Sequence, residues 1–264
     1  QQGFHIGGFD AEITSDLPLG AGLGSSAAFA IALLRGLSEL FGLALDEAAL
    51  VRIAHAAETD FAGARAGLLD QLASVHGHPR QALFIDMRDQ SMRTLPLPPM
   101  AELAVIDSGT RHEHATGGYN RRREECEEAC RHLGIASLRD LDGQAMDAIL
   151  ERLPPPLDRR VRHVLTENGR VREAVAALGA KDDTKLGELL SASHRSLRDD
   201  YEVSTPELDR LVELAAAAGA LGARLVGGGF GGSIIALGQR GGAKDLAGRV
   251  LGAYGGGHLV AVVP

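Results

Sequence analysis

Phe9, Ala11 and Ile13 alternate with polar residues, the period-two pattern of a half-buried strand, and this strand leads into a glycine-rich loop. From Ala27 to Phe41 the chain is apolar on almost every side, which predicts a helix buried in the middle of its lobe and closed by Gly42. After Asp46, a residue suited to an N-cap, Leu50, Ile53, Ala54 and Ala57 recur at helical spacing. That second helix carries Glu58 near its far end and is stopped by Gly63 and Gly67. A third helix begins near Leu68 with Asp70 in its first turn, and Gln81 to Met87 reads as a strand.

The proline-rich run LPLPPM, Leu95 to Met100, is the best boundary in the pattern and divides the chain into two lobes, residues 1–98 and 99–264. Beyond it, Leu103 to Ile106 predicts a short strand, with Asp107, Ser108 and Gly109 turning the chain toward a charged helix from Tyr119 to Leu133. Further helices are expected from Arg159 to Leu178 and from Lys185 to His194. Ser204-Thr205-Pro206-Glu207 has the form of a capping box with proline in the first turn, ahead of the apolar stripe Leu208, Leu211, Val212 and Ala215. Gly219 ends that helix, ARLVGGGFGGSIIAL predicts a hairpin with five glycines near its tip, and HLVAVVP predicts a final strand.

Composition narrows the functional classes. The chain has 264 residues, 45% hydrophobic and 23% charged, which is globular rather than disordered composition. A formal net charge of −8 argues against a nucleic-acid or anionic-membrane surface, because those partners are held mainly by Lys and Arg. No apolar run reaches the roughly 20 residues of a membrane span, and QQGFHIGGFD has no signal-peptide pattern, so the cytoplasm is the expected compartment. The two cysteines, Cys126 and Cys130, fall on one helical face and read as small buried apolar groups, since a disulfide within one helix is geometrically poor.

The chemistry concentrates in PLGAGLGSSAA. Glycines at 20, 22 and 24 let backbone N–H groups converge, and Ser25 and Ser26 open a helix whose unpaired amides and dipole favour an anion. The run suits a phosphate cradle. It lacks the Lys-Ser or Lys-Thr of a Walker loop and the acidic residue of a dinucleotide fold, and a flexible turn before a helix is the plain alternative. Asp70, at a helix N-terminus, is expected to stay ionised and able to accept a proton. With Glu58 and Ser26 it completes what phosphoryl transfer requires: amides for phosphates, hard oxygens for Mg²⁺, and an acid to orient the attacking hydroxyl. Taken singly, each carboxylate could equally be a cap or a solvated side chain.

PLGAGLGSSAA and GARLVGGGFGGS resemble the second and third motifs of the GHMP small-molecule kinase superfamily. GLLDQLASVHG, DSGTRHEHATGGYNRRREECEEA, RRVRHVLTENGRV and SHRSLRDDYEVSTPELDRLV narrow the resemblance to the galactokinase family and cover most of the chain. The resemblance implies an α/β fold of α+β type in two lobes, an incomplete first lobe like the second domain of ribosomal protein S5 and a second, ferredoxin-like lobe. It implies ATP and Mg²⁺ as cofactors, D-galactose as acceptor at its C1 hydroxyl, and a cytoplasmic monomer. Asp70 would orient or deprotonate that hydroxyl, and Gly67 and Tyr119 would contact the sugar. Ser26 and Glu58 would hold the metal, with Gly20, Ala21, Gly22, Leu23, Gly24, Ser25 and Ser26 forming the ATP phosphate loop. Gly228, Gly229 and Gly231 would support the site from the second lobe.

Gly24 stands where galactokinases commonly have serine, and Leu68 and Leu69 where Ile and Met are usual. The family's first motif, with an arginine and a Glu-His-x-Asp cluster, is not found between Gln1 and Pro264, and the expectation is an N-terminally truncated chain. Two further readings stay open: a kinase for another acceptor such as N-acetylgalactosamine or a small alcohol, and a non-catalytic sugar sensor or inactive remnant.

Overall fold

The computed structural model describes residues 3–17, 20–61, 67–111 and 115–263. The chain forms two compact units, Gln1–Thr94 and Leu95–Pro264.

In the first unit, helix α1 (Ser25–Phe41) packs on α2 (Glu47–Ala56) and α3 (Leu69–His76), and strands β1 (Gln81–Asp86) and β2 (Ser91–Pro96) make a two-stranded sheet. Asp46 caps α2 by accepting from the Ala49 amide at 2.7 Å, and Gly42, at φ +62°, ends α1 as its glycine suggested. Ile31, Leu50, Val51, Ala54, Leu72 and Val75 form the core. Two expectations fail here. Helix α1 is buried along one face only: Ala27 and Ile31 are covered, while Phe29 is 47% and Leu40 63% exposed. Phe9 to Ile13 is not a strand, because among the described residues no neighbouring strand pairs with its backbone, and alternation alone does not satisfy N–H and C=O groups. Helix α2 runs on into a π-helical turn, Ala57–Phe61, which carries Glu58. Gly63, assigned to the end of this helix, lies outside the described residues.

The second unit is built on a four-stranded sheet in the order β4-β5-β3-β6, antiparallel throughout, from β3 (Ala101–Arg111), β4 (Gly222–Leu225), β5 (Gly231–Gln239) and β6 (His258–Val263). Strand β3 is longer than expected. Asp107, Ser108 and Gly109 stay in it instead of turning, because β5 and β6 flank it and side-chain bonds absorb the irregularity between Asp107 and Arg111. Ser108 Oγ donates to the Gly232 carbonyl at 2.8 Å, and Ser233 Oγ donates to Asp107 Oδ2 at 3.1 Å. Helices α8 (Pro206–Ala217) and α9 (Ala243–Tyr254) cover the sheet through Leu208, Leu211, Leu246 and Val250. Each such leucine contributes about 1.5–3 kcal/mol by leaving water. The cap of α8 is Thr205, which accepts from the Leu208 amide at 3.4 Å; Ser204 instead donates to Asp209 at 2.6 Å, so the expected capping box is not formed from Ser204.

A second cluster joins α4 (Ala115–Leu133), α5 (Met146–Leu150) and α6 (Leu157–Ala180) around Ala129, Leu138, Ile149 and Val161, and Cys126 and Cys130, both free thiols, pack against it. Helix α7 (Asp183–Asp199) lies against β4 so closely that a methyl group on Gly187 would overlap the Leu221 backbone. Arg160, 1% exposed, threads α6 into this arrangement. It donates to Glu125 Oε2, Glu202 Oε2 and the Asp200 carbonyl, each at 2.6 Å.

Candidate active site

The glycine loop has left-handed backbone at alternate residues, φ +70° at Gly20, +77° at Gly22 and +65° at Gly24. L-residues with side chains rarely hold that conformation, and alternating it turns successive N–H groups toward a common point. Ala21, fully buried, roots the loop. Gly24 is the N-cap of α1 and offers no side chain to the first turn, so the helix start at Ser25 and Ser26 carries no side-chain cap of its own. Open first-turn amides at a helix N-terminus are suited to phosphate oxygens.

Glu58 comes to this helix start from the π-helical turn. Ser26 Oγ donates to Glu58 Oε1 at 2.7 Å, and Gln71 Nε2, from α3, donates to Glu58 Oε2 at 2.5 Å. Asp70, the residue before Gln71, lies against the loop's last glycine: a Cβ on Gly24 would stand 3.0 Å from Asp70 Cγ. One face of Asp70 borders a cleft of about 450 Å³ lined also by Leu23, Gly24, Ala28, Arg35 and Ser74. Ser26, Glu58, Asp70 and Gly24, far apart in sequence, thus meet at one place within the first unit.

The Asp70 carboxyl lies above the ordinary aspartate range. Partial removal from water is the larger cause and the neighbouring Glu58 carboxylate the smaller. A carboxylate with a raised pKa is the stronger base.

Ser26 and Glu58 supply two hard oxygens side by side, the donor chemistry Mg²⁺ takes while keeping most of its water. Among the described residues no group of three or more His, Cys, Asp and Glu forms a fuller cation site. The residues therefore fit a magnesium ion shared with a phosphate chain better than one held by protein alone. Gly67 is exposed, with open space where a side chain would be.

In the second unit the remaining expected residues also meet. The Tyr119 ring stands 3.3 Å from the position of a Cβ on Gly228. Gly229 is left-handed at φ +82°, and a side chain there would run into the Val203 carbonyl. Gly231 opens β5. Phe230, which the sequence reading passed over, has φ +61° and donates its N–H to the Val203 carbonyl at 2.8 Å. Its ring fills the space a Gly118 side chain would need. Gln71 was likewise passed over; its place beside Asp70 was the available signal.

Residues 1–78 match the GHMP kinases N terminal domain and residues 174–257 the GHMP kinases C terminal domain. A galactokinase of Mycobacterium bovis is 45% identical over 93% of this chain and 68% of its own length. One from Streptomyces coelicolor is 41% identical over 99% of this chain and 69% of its own. The crystal structure of Lactococcus lactis galactokinase complexed with galactose superposes with a TM-score of 0.86 at 33% identity, over 92% of this chain and 66% of that one. This chain thus spans about two thirds of the length of these relatives.

Proposed function

Since this chain belongs to the galactokinase family of GHMP kinases, ATP-dependent phosphotransferases, we propose that it carries the central machinery for phosphorylating D-galactose at its C1 hydroxyl. In this reaction the C1 oxygen attacks the γ-phosphorus of ATP, the bond from that phosphorus to the bridging oxygen breaks, ADP leaves, and the hydroxyl proton passes to Asp70. The observation that carries the reading is the meeting of Asp70 with Gly24 and of Glu58 with Ser26 at an uncapped helix start. The elevated pKa of Asp70 supports its role as proton acceptor.

The stretch Gly20 to Ser26 takes the phosphates through backbone amides. Ser26 and Glu58 hold Mg²⁺, which when bound neutralises phosphate charge. Gly67 and Tyr119 are assigned to the sugar, and Gly228, Gly229 and Gly231 to the support of the same reaction. The functional division at residues 98/99, a cytoplasmic location and a monomeric state belong to the same proposal. Among the described residues no helix is long and apolar enough to cross a membrane.

The test uses the protein expressed from its complete reading frame, assayed with galactose, ATP and magnesium. Asp70→Asn is expected to lower kcat about 100-fold or more while leaving the KM for ATP within a few-fold, as for loss of a positioned proton acceptor. Turnover within a few-fold of wild type would remove Asp70 from the mechanism, and no galactose-dependent ADP release from the unaltered protein would remove the activity.

A further inference from the structure

We propose that Gln71 is a positioning residue for the magnesium ligand Glu58, an inference that rests on the role given to Glu58 above. Gln71 is completely buried, and its amide nitrogen donates to Glu58 Oε2 at 2.5 Å. Among the described residues its amide oxygen, also buried, has no hydrogen-bond partner. A carboxylate only accepts, so the amide must present its nitrogen to Glu58, and the oxygen is left buried without a donor among the described residues. That arrangement is unfavourable for packing alone, where methionine would fill the same space without an orphaned acceptor. What the glutamine adds is its donor end.

Glu58 sits on a single π-helical turn, with one oxygen bonded from α1 and the other from α3. Ser26, the α1 donor, is itself one of the two oxygens assigned to the cation, so its hydroxyl has competing partners. Gln71 has none. Successive residues on a helix point about 100° apart, and α3 uses this to send Asp70 to the cleft and Gln71 to Glu58. The same helical turn thereby fixes the proton acceptor and the orientation of the metal ligand. Residues that orient a ligand from behind commonly change metal affinity 10–100-fold when removed.

The experiment is binding of Mn²⁺, followed by electron paramagnetic resonance in the presence of a non-hydrolysable ATP analogue. It compares wild type, Gln71→Met, Glu58→Gln and the double variant, each also measured for thermal unfolding and steady-state kinetics. Gln71→Met is expected to weaken Mn²⁺ binding about tenfold and to raise the Mg²⁺ needed for half-maximal turnover in parallel. The KM for galactose should stay within about twofold, and the melting temperature should not fall in proportion. The double variant should bind Mn²⁺ no more weakly than Glu58→Gln alone, because Gln71 acts through Glu58.

Mn²⁺ binding by Gln71→Met equal to wild type, with Glu58→Gln impaired, overturns the inference and leaves the reading of Glu58 standing. Additive losses in the double variant do the same. Unchanged binding in Glu58→Gln overturns both. Should Gln71→Met fail to fold, the Gln71 side-chain amide signals of nitrogen-15-labelled wild type decide: a shift on adding Mg²⁺ and the analogue is expected, and unmoved signals overturn the inference.

Discussion

The two units solve opposite problems. In the first, a small core of six buried residues supports a loop of left-handed glycines, an uncapped helix start and two neighbouring carboxylates. None of these favours stability by itself. In the second, a sheet covered by two helices and a second helical cluster enclose charged groups paired with one another around Arg160, although Arg122 Nε finds no partner among the described residues. Burial alone would raise the Glu125 carboxyl, but hydrogen bonds from Arg160 and Arg122 outweigh it and hold the group below the usual range. Polar groups left open mark the place where a ligand is to be bound, and polar groups closed on one another mark the scaffold.

The largest effect should come from breaking the closed set. Arg160→Met takes from Glu125 and Glu202 the more deeply buried of the two arginines they share, the other being Arg122, and strands the Asp200 carbonyl. Removing one member of a buried ion pair typically costs about 3–5 kcal/mol. Chemical denaturation should show that loss, and a change below about 1 kcal/mol would mean that Arg122 or solvent replaces Arg160. Asp70→Asn should do the reverse, with its large loss of turnover accompanied by an unfolding midpoint close to wild type. A comparable loss of stability in both variants would erase the distinction between open and closed polar groups.

The next effect is set by pH. His163 is buried, bonded to Ser196 Oγ at 3.0 Å and stacked on Tyr201 with ring centroids 4.5 Å apart. Burial lowers its pKa from 6.5 to about 4, against the smaller pull of Glu167. The folded form therefore binds the proton less readily than the unfolded one. The contribution is whole above pH 6.5, is lost as pH falls from 6.5 to about 4, and levels off below that, for a total of roughly 3 kcal/mol. Glu125 and Glu202, both lowered, act only below the ordinary glutamate range, so the two windows separate. His163→Asn should flatten stability against pH in the upper window. His194, also lowered by burial, would supply what slope remains, and an unaltered curve would show that His163 does not titrate with unfolding.

What the sequence disclosed follows from how local each signal is. The start of α3 near Leu68 with Asp70 in its first turn, the cap at Asp46 and the end of α1 at Gly42 are set by residues within one turn, and all were legible. The strand expected at Phe9 to Ile13 and the turn expected at Asp107 to Gly109 depended on neighbours, absent among the described residues in the first case and flanking on both sides in the second. Helix α9 escaped notice because its stripe is short, Leu246, Ala247 and Val250 between glycines at 242 and 255. At the site, the glycines and Ser26 were readable from their run. The bond from Ser26 to Glu58, 32 residues away, needed the fold, and so did the direction of the Asp70 shift. The helix N-terminus behind the expected ionised carboxylate was visible in the sequence, but the burial and the Glu58 charge that raise its pKa were not.

The smallest expected effect has the opposite sign. Gly169 lies in the interior of α6, and a Cβ built there meets nothing within 4 Å. Its φ is not in the left-handed region, so alanine can take the same backbone without strain. Glycine inside a helix costs about 0.5–1 kcal/mol relative to alanine, because the unfolded chain has more freedom to lose. Gly169→Ala should therefore raise the unfolding free energy by about that amount. The control is Gly187→Ala on the neighbouring helix α7, where the added methyl meets the backbone of Leu221 and must push α7 off β4. The same chemical change should then stabilise at one helix and destabilise at the other. Neither position belongs to the groups assigned to ATP, magnesium or sugar, so Gly169→Ala should leave kcat unaltered while stability rises. If turnover fell with that gain, the scaffold would have to loosen for the reaction to proceed, and the division between a closed supporting unit and an open working one would no longer hold.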